Sequence, residues 1–188
     1  MMARTIRLAA AACLLVFAPA VACAETYRPY QNARFGTEAE IPASFRAERA
    51  PDNDDGRKFV SPDGAAEIIV YAGHGPSTVT GTFAEYRNWM AENEDGRITY
   101  RAGGSHWFVL SGTDGDRIFY LKALAGCPDR SIAHHVRIVY PASQKAAYDA
   151  IVRRVAASLS FTDTRECGGA PASDTPPADD DEPAGEPE

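Results

Sequence analysis

Residues 97–140 decide the fold, and they read RITYRAGGSHWFVLSGTDGDRIFYLKALAGCPDRSIAHHVRIVY. Four runs in this stretch are rich in valine, isoleucine, phenylalanine, tyrosine and tryptophan, which favour the half-buried surface of a β-sheet. Turn-forming pairs, Gly103-Gly104 and Asp114-Gly115, separate the first three runs. We therefore predict an antiparallel meander whose strands are 97–102, 105–111, 117–124 and 132–140.

Further strands and two helices are predicted on either side of this meander. The residues Thr82-Phe83-Ala84-Glu85 form a capping-box pattern that starts a helix, and Gly96 lies where that helix must stop. Pro141 opens a second helix with an apolar stripe at helical spacing. The other predicted strands are 35–41, 57–60 and 66–71. This order predicts an α+β domain, an antiparallel β-sheet meander with two main helices packed on it.

Residues 1–24 have the pattern of a secretory signal peptide. Arg4 and Arg7 precede an apolar run, residues 8–17, which is too short to cross a bilayer as a helix. Small residues at Ala22-Cys23-Ala24 suit a signal peptidase. We expect cleavage after Ala24 and a mature chain that begins at Glu25, in the periplasm or secreted.

The competing interpretation of this segment is a lipoprotein with Cys23 as its acylated first residue. Lipoprotein signals usually carry a larger aliphatic residue three positions earlier, where this chain has Ala20. Soluble export is therefore preferred over a lipid anchor at Cys23. No later stretch predicts a transmembrane helix.

The cysteines indicate a disulfide. Cleavage after Ala24 removes Cys13 and Cys23 and leaves Cys127 and Cys167. An even pair in an oxidising compartment predicts a bond between them. Two unpaired buried thiols are the alternative.

The composition changes after residue 169. Residues 170–188 contain five prolines, seven acidic residues and no basic residue. Such a segment cannot bury enough apolar surface to offset its conformational entropy, so we predict a disordered Pro-rich acidic tail. Residues 25–169 form the single predicted domain. The formal net charge of −7 comes mostly from the tail, so the prediction of no nucleic-acid partner rests on export rather than on charge.

The first predicted strand carries a resemblance to a known family. The stretch Tyr30-Gln31-Asn32-Ala33-Arg34-Phe35-Gly36, followed by Ile41-Pro42, resembles the opening of PsbP/Mog1/DcrB-like proteins, and the hairpin at 59–64 is similar as well. The likeness is closest to uncharacterised small secreted bacterial proteins of this type. It implies an antiparallel sheet sandwiched by helices and a role in binding partner proteins, and it implies no catalytic residue.

The search for catalytic motifs leaves four histidines as candidates. The sequence has no nucleophile elbow, phosphate loop, dinucleotide fingerprint or Cys-x-x-Cys. His134 and His135 are adjacent in a predicted strand, so their side chains point to opposite faces. A hydrolase or metal-dependent envelope enzyme would use His74, His106 or this pair, and a metal or acid–base site would need His74 to meet His134 or His135. Trp89 and Trp107 are interpreted as core or sheet-face residues.

The acidic run Asp52-Asn53-Asp54-Asp55-Gly56 is interpreted as a solvated turn, because its glycine and twelfth residue do not fit a calcium loop. We assign no catalytic residue, no metal site and no cofactor. The prediction is therefore an exported, non-enzymatic α+β module that binds a protein or a cell-envelope component. The alternative is the histidine-based enzyme.

Overall fold

The computed structural model describes residues 25–167, so the predicted signal peptide 1–24 and the predicted tail 170–188 lie outside the described residues. The described chain is an antiparallel α+β fold, as the sequence predicts. The strands are β1 Tyr27–Gln31, β2 Thr37–Pro42, β3 Arg46–Ala47, β4 Gly56–Val60, β5 Glu67–Gly73, β6 Arg97–Gly103, β7 Trp107–Asp114, β8 Arg117–Gly126, β9 Ile132–Pro141 and β10 Ser160–Phe161. The α-helices are α1 Phe83–Glu92 and α2 Lys145–Ser158.

The larger sheet has seven strands in the order β3-β4-β5-β9-β8-β7-β6, with antiparallel neighbours throughout. Its last four strands are the predicted meander, with shifted ends. Strand β7 begins at Trp107 rather than at Ser105, because the amide of Gly104 donates to the carbonyl of Trp107 at 2.8 Å and closes the turn before it.

The smaller sheet has three strands in the order β1-β2-β10. The prediction of a strand from residue 35 was wrong at its start. Phe35 lies in a turn, where its amide donates to Oδ1 of Asn32 at 2.8 Å. Gly36 follows with φ +67°, a conformation that disfavours other residues, and β2 begins only at Thr37.

Helix α1 begins at the predicted capping box. The amide of Glu85 donates to Oγ1 of Thr82 at 3.2 Å, and that hydroxyl donates to the Glu85 carboxylate at 2.7 Å. The helix ends at Glu92, before Gly96, and the side-chain amide of the C-cap residue Asn93 folds back to donate to the carbonyl of Trp89 at 2.8 Å.

Helix α2 begins later than predicted. Pro141 is the last residue of β9, and a 3₁₀ turn at Ala142–Gln144 precedes Lys145. Among residues 25–167, neither helix combines the length and the apolar character that a membrane span requires.

The two faces of the larger sheet carry separate cores, since side chains alternate along each strand. We call them the α1 face and the α2 face after the helix that packs on each. The α2 face is also covered by β2 of the smaller sheet. Its core includes Ile41, Ile68, Val70, Val136, Ile138 and Val155. The core of the α1 face includes Phe83, Tyr86, Phe108, Leu110, Phe119 and Leu121.

Candidate binding groove

The α2 face is covered only in part. Helix α2 packs on β2, β9 and β8. Beyond β8, strand register places Tyr100 of β6 opposite Ser111 of β7, which lies opposite Tyr120 of β8. A second row runs from Trp107 of β7 to Leu124 of β8. Tyr100 is 56% exposed and Trp107 is 41% exposed, so the outer strands present aromatic side chains to solvent.

A groove of about 750 Å³ lies between α2 and these outer strands. Among the residues that the structure describes, its lining is mostly apolar, includes two cationic side chains and contains no carboxylate. The lining residues are His106, Trp107, Val109, Tyr120, Lys122, Leu124, Ala125, Arg153, Ala156, Ala157 and Phe161. We refer to this feature as the groove. Clefts of this size with an apolar lining and a few polar groups are typical binding sites.

The two cationic side chains of the groove, Lys122 and Arg153, differ in their hydrogen-bond partners. The Lys122 ammonium donates to the carbonyl of Ala156 at 2.6 Å, near the C-terminal end of α2, where the helix dipole favours a positive charge. Its partial burial lowers its pKa from the usual range. Arg153 is exposed and forms no ion pair within residues 25–167, whereas the neighbouring Arg154 binds Glu40 through two hydrogen bonds. Arg153 is therefore the available cation of the groove.

Phe161, which lines one side of the groove, packs on a buried histidine. The Phe161 ring stacks on His134 with 4.3 Å between ring centroids. Nδ1 of His134 lies 2.8 Å from Oγ1 of Thr37, and the imidazole leaves no room for a Cβ at Gly126. Burial lowers the pKa of His134 to about 4, so the ring is neutral at pH 7. His134 is thus a packing residue behind the groove.

The next residue, His135, lies on the α1 face. Its Nε2 is 3.2 Å from the hydroxyl of Tyr86, and its ring stacks on Tyr71 at 4.4 Å. Burial lowers the pKa of His135 to about 3 and raises the pKa of Tyr86 to about 12. The two histidines therefore point to opposite faces, as strand alternation requires, and they share no site.

The remaining histidines lie elsewhere. Nε2 of His74 is 2.8 Å from a carboxylate oxygen of Glu166, whose other oxygen accepts from Arg34 at 3.1 Å. Hydrogen bonds from both residues lower the pKa of Glu166. His106 is exposed and 2.7 Å from the hydroxyl of Ser105. The structure does not bring His74 or His106 together with the His134–His135 pair.

No metal centre is assembled in the described part of the chain: residues 25–167 contain no group of three or more histidine, cysteine, aspartate or glutamate side chains placed to hold an ion. Asn53 of the acidic run instead donates to the carboxylate of Asp55 at 2.9 Å, on an exposed turn. The geometry therefore supplies neither a metal centre nor a histidine-based catalytic cluster there.

The predicted disulfide is present. Cys127 and Cys167 are joined by an S–S bond of 2.01 Å, with their Cα atoms 5.2 Å apart. The bridge packs against Phe35, Ala72 and Ile132. It attaches the segment that follows β10 to the end of β8, close to the groove wall formed by Phe161.

The interpretation of the two tryptophans as core or sheet-face residues is confirmed for Trp107 and wrong for Trp89. Trp107 is a sheet-face residue of β7, and no helix within residues 25–167 covers its ring. Trp89 is 38% exposed on α1 and stacks on Tyr86 at 5.9 Å. The number of predicted helices could have indicated the exposed position of Trp107. A single helix on the α2 face is too narrow to cover a seven-stranded sheet, so apolar side chains of the outer strands remain exposed.

The fold of the described residues is similar to that of solved α+β domains of the Mog1 and PsbP type. The Ran-binding protein Mog1p of Saccharomyces cerevisiae superposes with a TM-score of 0.53 at 9% identity, covering 75% of this chain and 98% of that one. The cyanobacterial PsbP protein (CyanoP) of Synechocystis gives a TM-score of 0.53 at 11% identity, covering 78% and 99%. A point mutant of Mog1 gives 0.54 at 11% identity, covering 76% and 99%.

At these identities the likeness establishes the fold alone. No protein-family model matches the sequence, and no curated protein sequence matches it significantly. The resemblance expected from residues 30–42 is confirmed at the level of the fold.

Proposed function

We propose that this protein is an exported, non-enzymatic module that binds another protein through the groove. The observation that carries the proposal is the uncovered part of the α2 face, where Trp107 is 41% exposed beside apolar neighbours on a rigid sheet. Exposed apolar patches bordered by polar side chains commonly mark interaction sites. Tryptophan and arginine are also enriched among the side chains that dominate binding energies, and the groove has Trp107 and Arg153.

The comparisons support a protein as the partner. Mog1p is a Ran-binding protein, so a domain of this fold serves protein recognition in that case. The dispersed histidines of the described residues give the enzyme alternative no comparable support, because a hydrolase needs a nucleophile, a base and an orienting group within hydrogen-bond reach.

Export is supported by one feature of the sequence and one of the structure. The signal pattern at 1–24 predicts cleavage after Ala24 and a periplasmic or secreted mature chain that starts at Glu25. The Cys127–Cys167 bridge fits an oxidising compartment. The acidic tail at 170–188 then serves as a solubilising extension, and Cys23 is removed with the signal rather than acylated.

Photocrosslinking in the producing cell tests the binding proposal. A photoreactive benzoylphenylalanine replaces Trp107 in one strain and Trp89 in another. The two positions are 41% and 38% exposed, so solvent access is matched while the site differs. We expect one protein to be crosslinked at position 107 and not at position 89. Recovery of no protein at 107, or of the same proteins at both positions, would overturn the proposal.

A further inference from the structure

We infer that the groove receives an amphipathic α-helix that has acidic side chains along the edge facing α2. This inference rests on the proposed function and specifies the kind of segment that the partner inserts. Shape, backbone hydrogen bonding and charge each support it.

The open part of the α2 face has the shape of a missing helix. Helix α2 covers β9 and β8, whereas within residues 25–167 no helix covers the exposed rings of Trp107 on β7 and Tyr100 on β6. Helices in one layer pack with their axes 8–10 Å apart. A helix beside α2 would rest on Trp107 and would touch Ala157, a small exposed residue that permits close approach. The occupant would complete the helical layer that α2 begins.

The backbone of the groove floor disfavours an extended occupant. Strand β7 pairs with β6 on one side and with β8 on the other, so the floor offers side chains rather than free peptide groups. An extended peptide there would bury amides and carbonyls without partners, whereas a helix satisfies its own. The free edge of β6 is a poor alternative, since its register is irregular between Ile98 and Tyr100.

The positive charge of the groove lining favours a helix with acidic side chains. Among residues 25–167, Lys122 and Arg153 are the ionic groups of the groove besides His106, and none of its lining residues is an aspartate or glutamate. Arg153 also lines two neighbouring depressions, whose carboxylates Glu40 and Asp149 pair with Arg154 and Lys145 instead, so no carboxylate of residues 25–167 pairs with Arg153. An aspartate or glutamate on the adjacent edge of an incoming helix would pair with Arg153, while a lysine there would be repelled.

A selection between two displayed peptide libraries tests the inference. Both libraries have the same length and randomised polar positions. One has apolar residues at helical spacing and the other alternates them as in a strand. The target is the Trp89→Phe variant, in which Trp107 is the only tryptophan of the chain and reports binding by fluorescence. We expect binders from the helical library, enriched in aspartate and glutamate and helical by circular dichroism when bound.

Two further variants locate the binding. Trp107→Ala, made in the parent chain, should weaken the selected peptides at least tenfold, and Arg153→Glu should weaken them about fivefold, since rim charges contribute less than a central aromatic residue. Arg87→Glu, on α1 and outside the groove, is the matched charge control and should change affinity less than twofold.

Several results would overturn the inference. They are binders from the alternating library alone, binders enriched in lysine and arginine, and the absence of any binder that depends on Trp107. Saturable binding of dodecanoate that quenches Trp107 and displaces the peptides would assign the groove to an acyl chain. A dimer in sedimentation that Trp107→Ala dissociates would assign it to a second copy. If position 107 crosslinks a protein in cells while the selection yields extended peptides, the proposed function stands and this inference fails.

Discussion

The two faces of strands β7 and β8 differ in cover although their residues are similarly apolar. On the α1 face, Phe108 and Phe119 are fully buried, and Phe83 of α1 packs on Phe108 with 5.4 Å between the ring centroids. On the α2 face of the same strands, Trp107 is 41% exposed and Tyr120 is half-buried. Both faces have apolar side chains that a helix could cover, but within residues 25–167 the α2 face is covered only in part and leaves the Trp107 ring exposed. The uncovered face is therefore available to bind a partner at little cost to folding.

The largest expected effect is on the covered face. Phe108→Ala should lower the free energy of unfolding by about 3–5 kcal/mol, because a fully buried aromatic ring leaves a cavity when removed. Urea unfolding followed by circular dichroism measures it. A loss below about 1 kcal/mol would mean that the α1 face is not the main core.

The disulfide should have the next largest effect, because it ties the segment that follows β10 to the end of β8. Cys167→Ser should cost about 2–4 kcal/mol under oxidising conditions and leave Cys127 open to alkylation. The parent protein treated with the same reagent is the control. Equal melting of the two, with Cys127 already reactive in the parent, would contradict the bridge.

Acid should destabilise both faces, since each has a buried neutral histidine. The pKa values of His134 and His135 are lowered to about 4 and about 3, whereas an unfolded histidine titrates near 6.5. Stability is therefore fully present above about pH 6.5 and is lost as pH falls toward the folded values. By linkage the loss between pH 7 and pH 5 is about 2 kcal/mol for each histidine.

The variant His134→Gln isolates one of these groups. Its free energy of unfolding should fall about half as much as that of the parent between pH 7 and pH 5, because one titrating group remains. Glu166, whose pKa is lowered, contributes in a more acidic range. A parent whose stability is unchanged from pH 7 to pH 5 would show that the histidines are accessible to protons in the fold.

The smallest effect on stability is expected on the uncovered face. Trp107→Ala should change the free energy of unfolding by less than about 1 kcal/mol, because much of the ring is already in water. Urea unfolding alongside Phe108→Ala gives the direct comparison. Equal losses in these two adjacent variants would remove the distinction between the faces.

Local patterns predicted much of this fold. The meander, the Thr82 capping box and the opposite directions of His134 and His135 all follow from spacing along the chain. The disulfide followed from the number of cysteines that remain after the predicted signal cleavage. These features depend on residues close together in the chain or on composition, so they can be predicted from one sequence.

Features that depend on the layers of the fold were not predictable in the same way. Strand β1 has the sequence YRPYQ, with a proline and no aliphatic residue, and it forms because β2 pairs with it. The groove exists because one helix is narrower than the sheet beneath it. Alternation identifies the apolar faces of β7, but only the packed structure shows which face has a helix over it.

The capture of the crosslinked partner by two adjacent variants tests the central claim most directly. The purified partner is immobilised, and equal amounts of folded Trp107→Ala and Phe108→Leu protein are compared with the parent. The account predicts that Trp107→Ala keeps its stability and loses at least nine-tenths of the capture, while Phe108→Leu loses stability and keeps the capture. Undiminished capture by Trp107→Ala, or equal loss of capture in both variants, would contradict a binding role for the uncovered face.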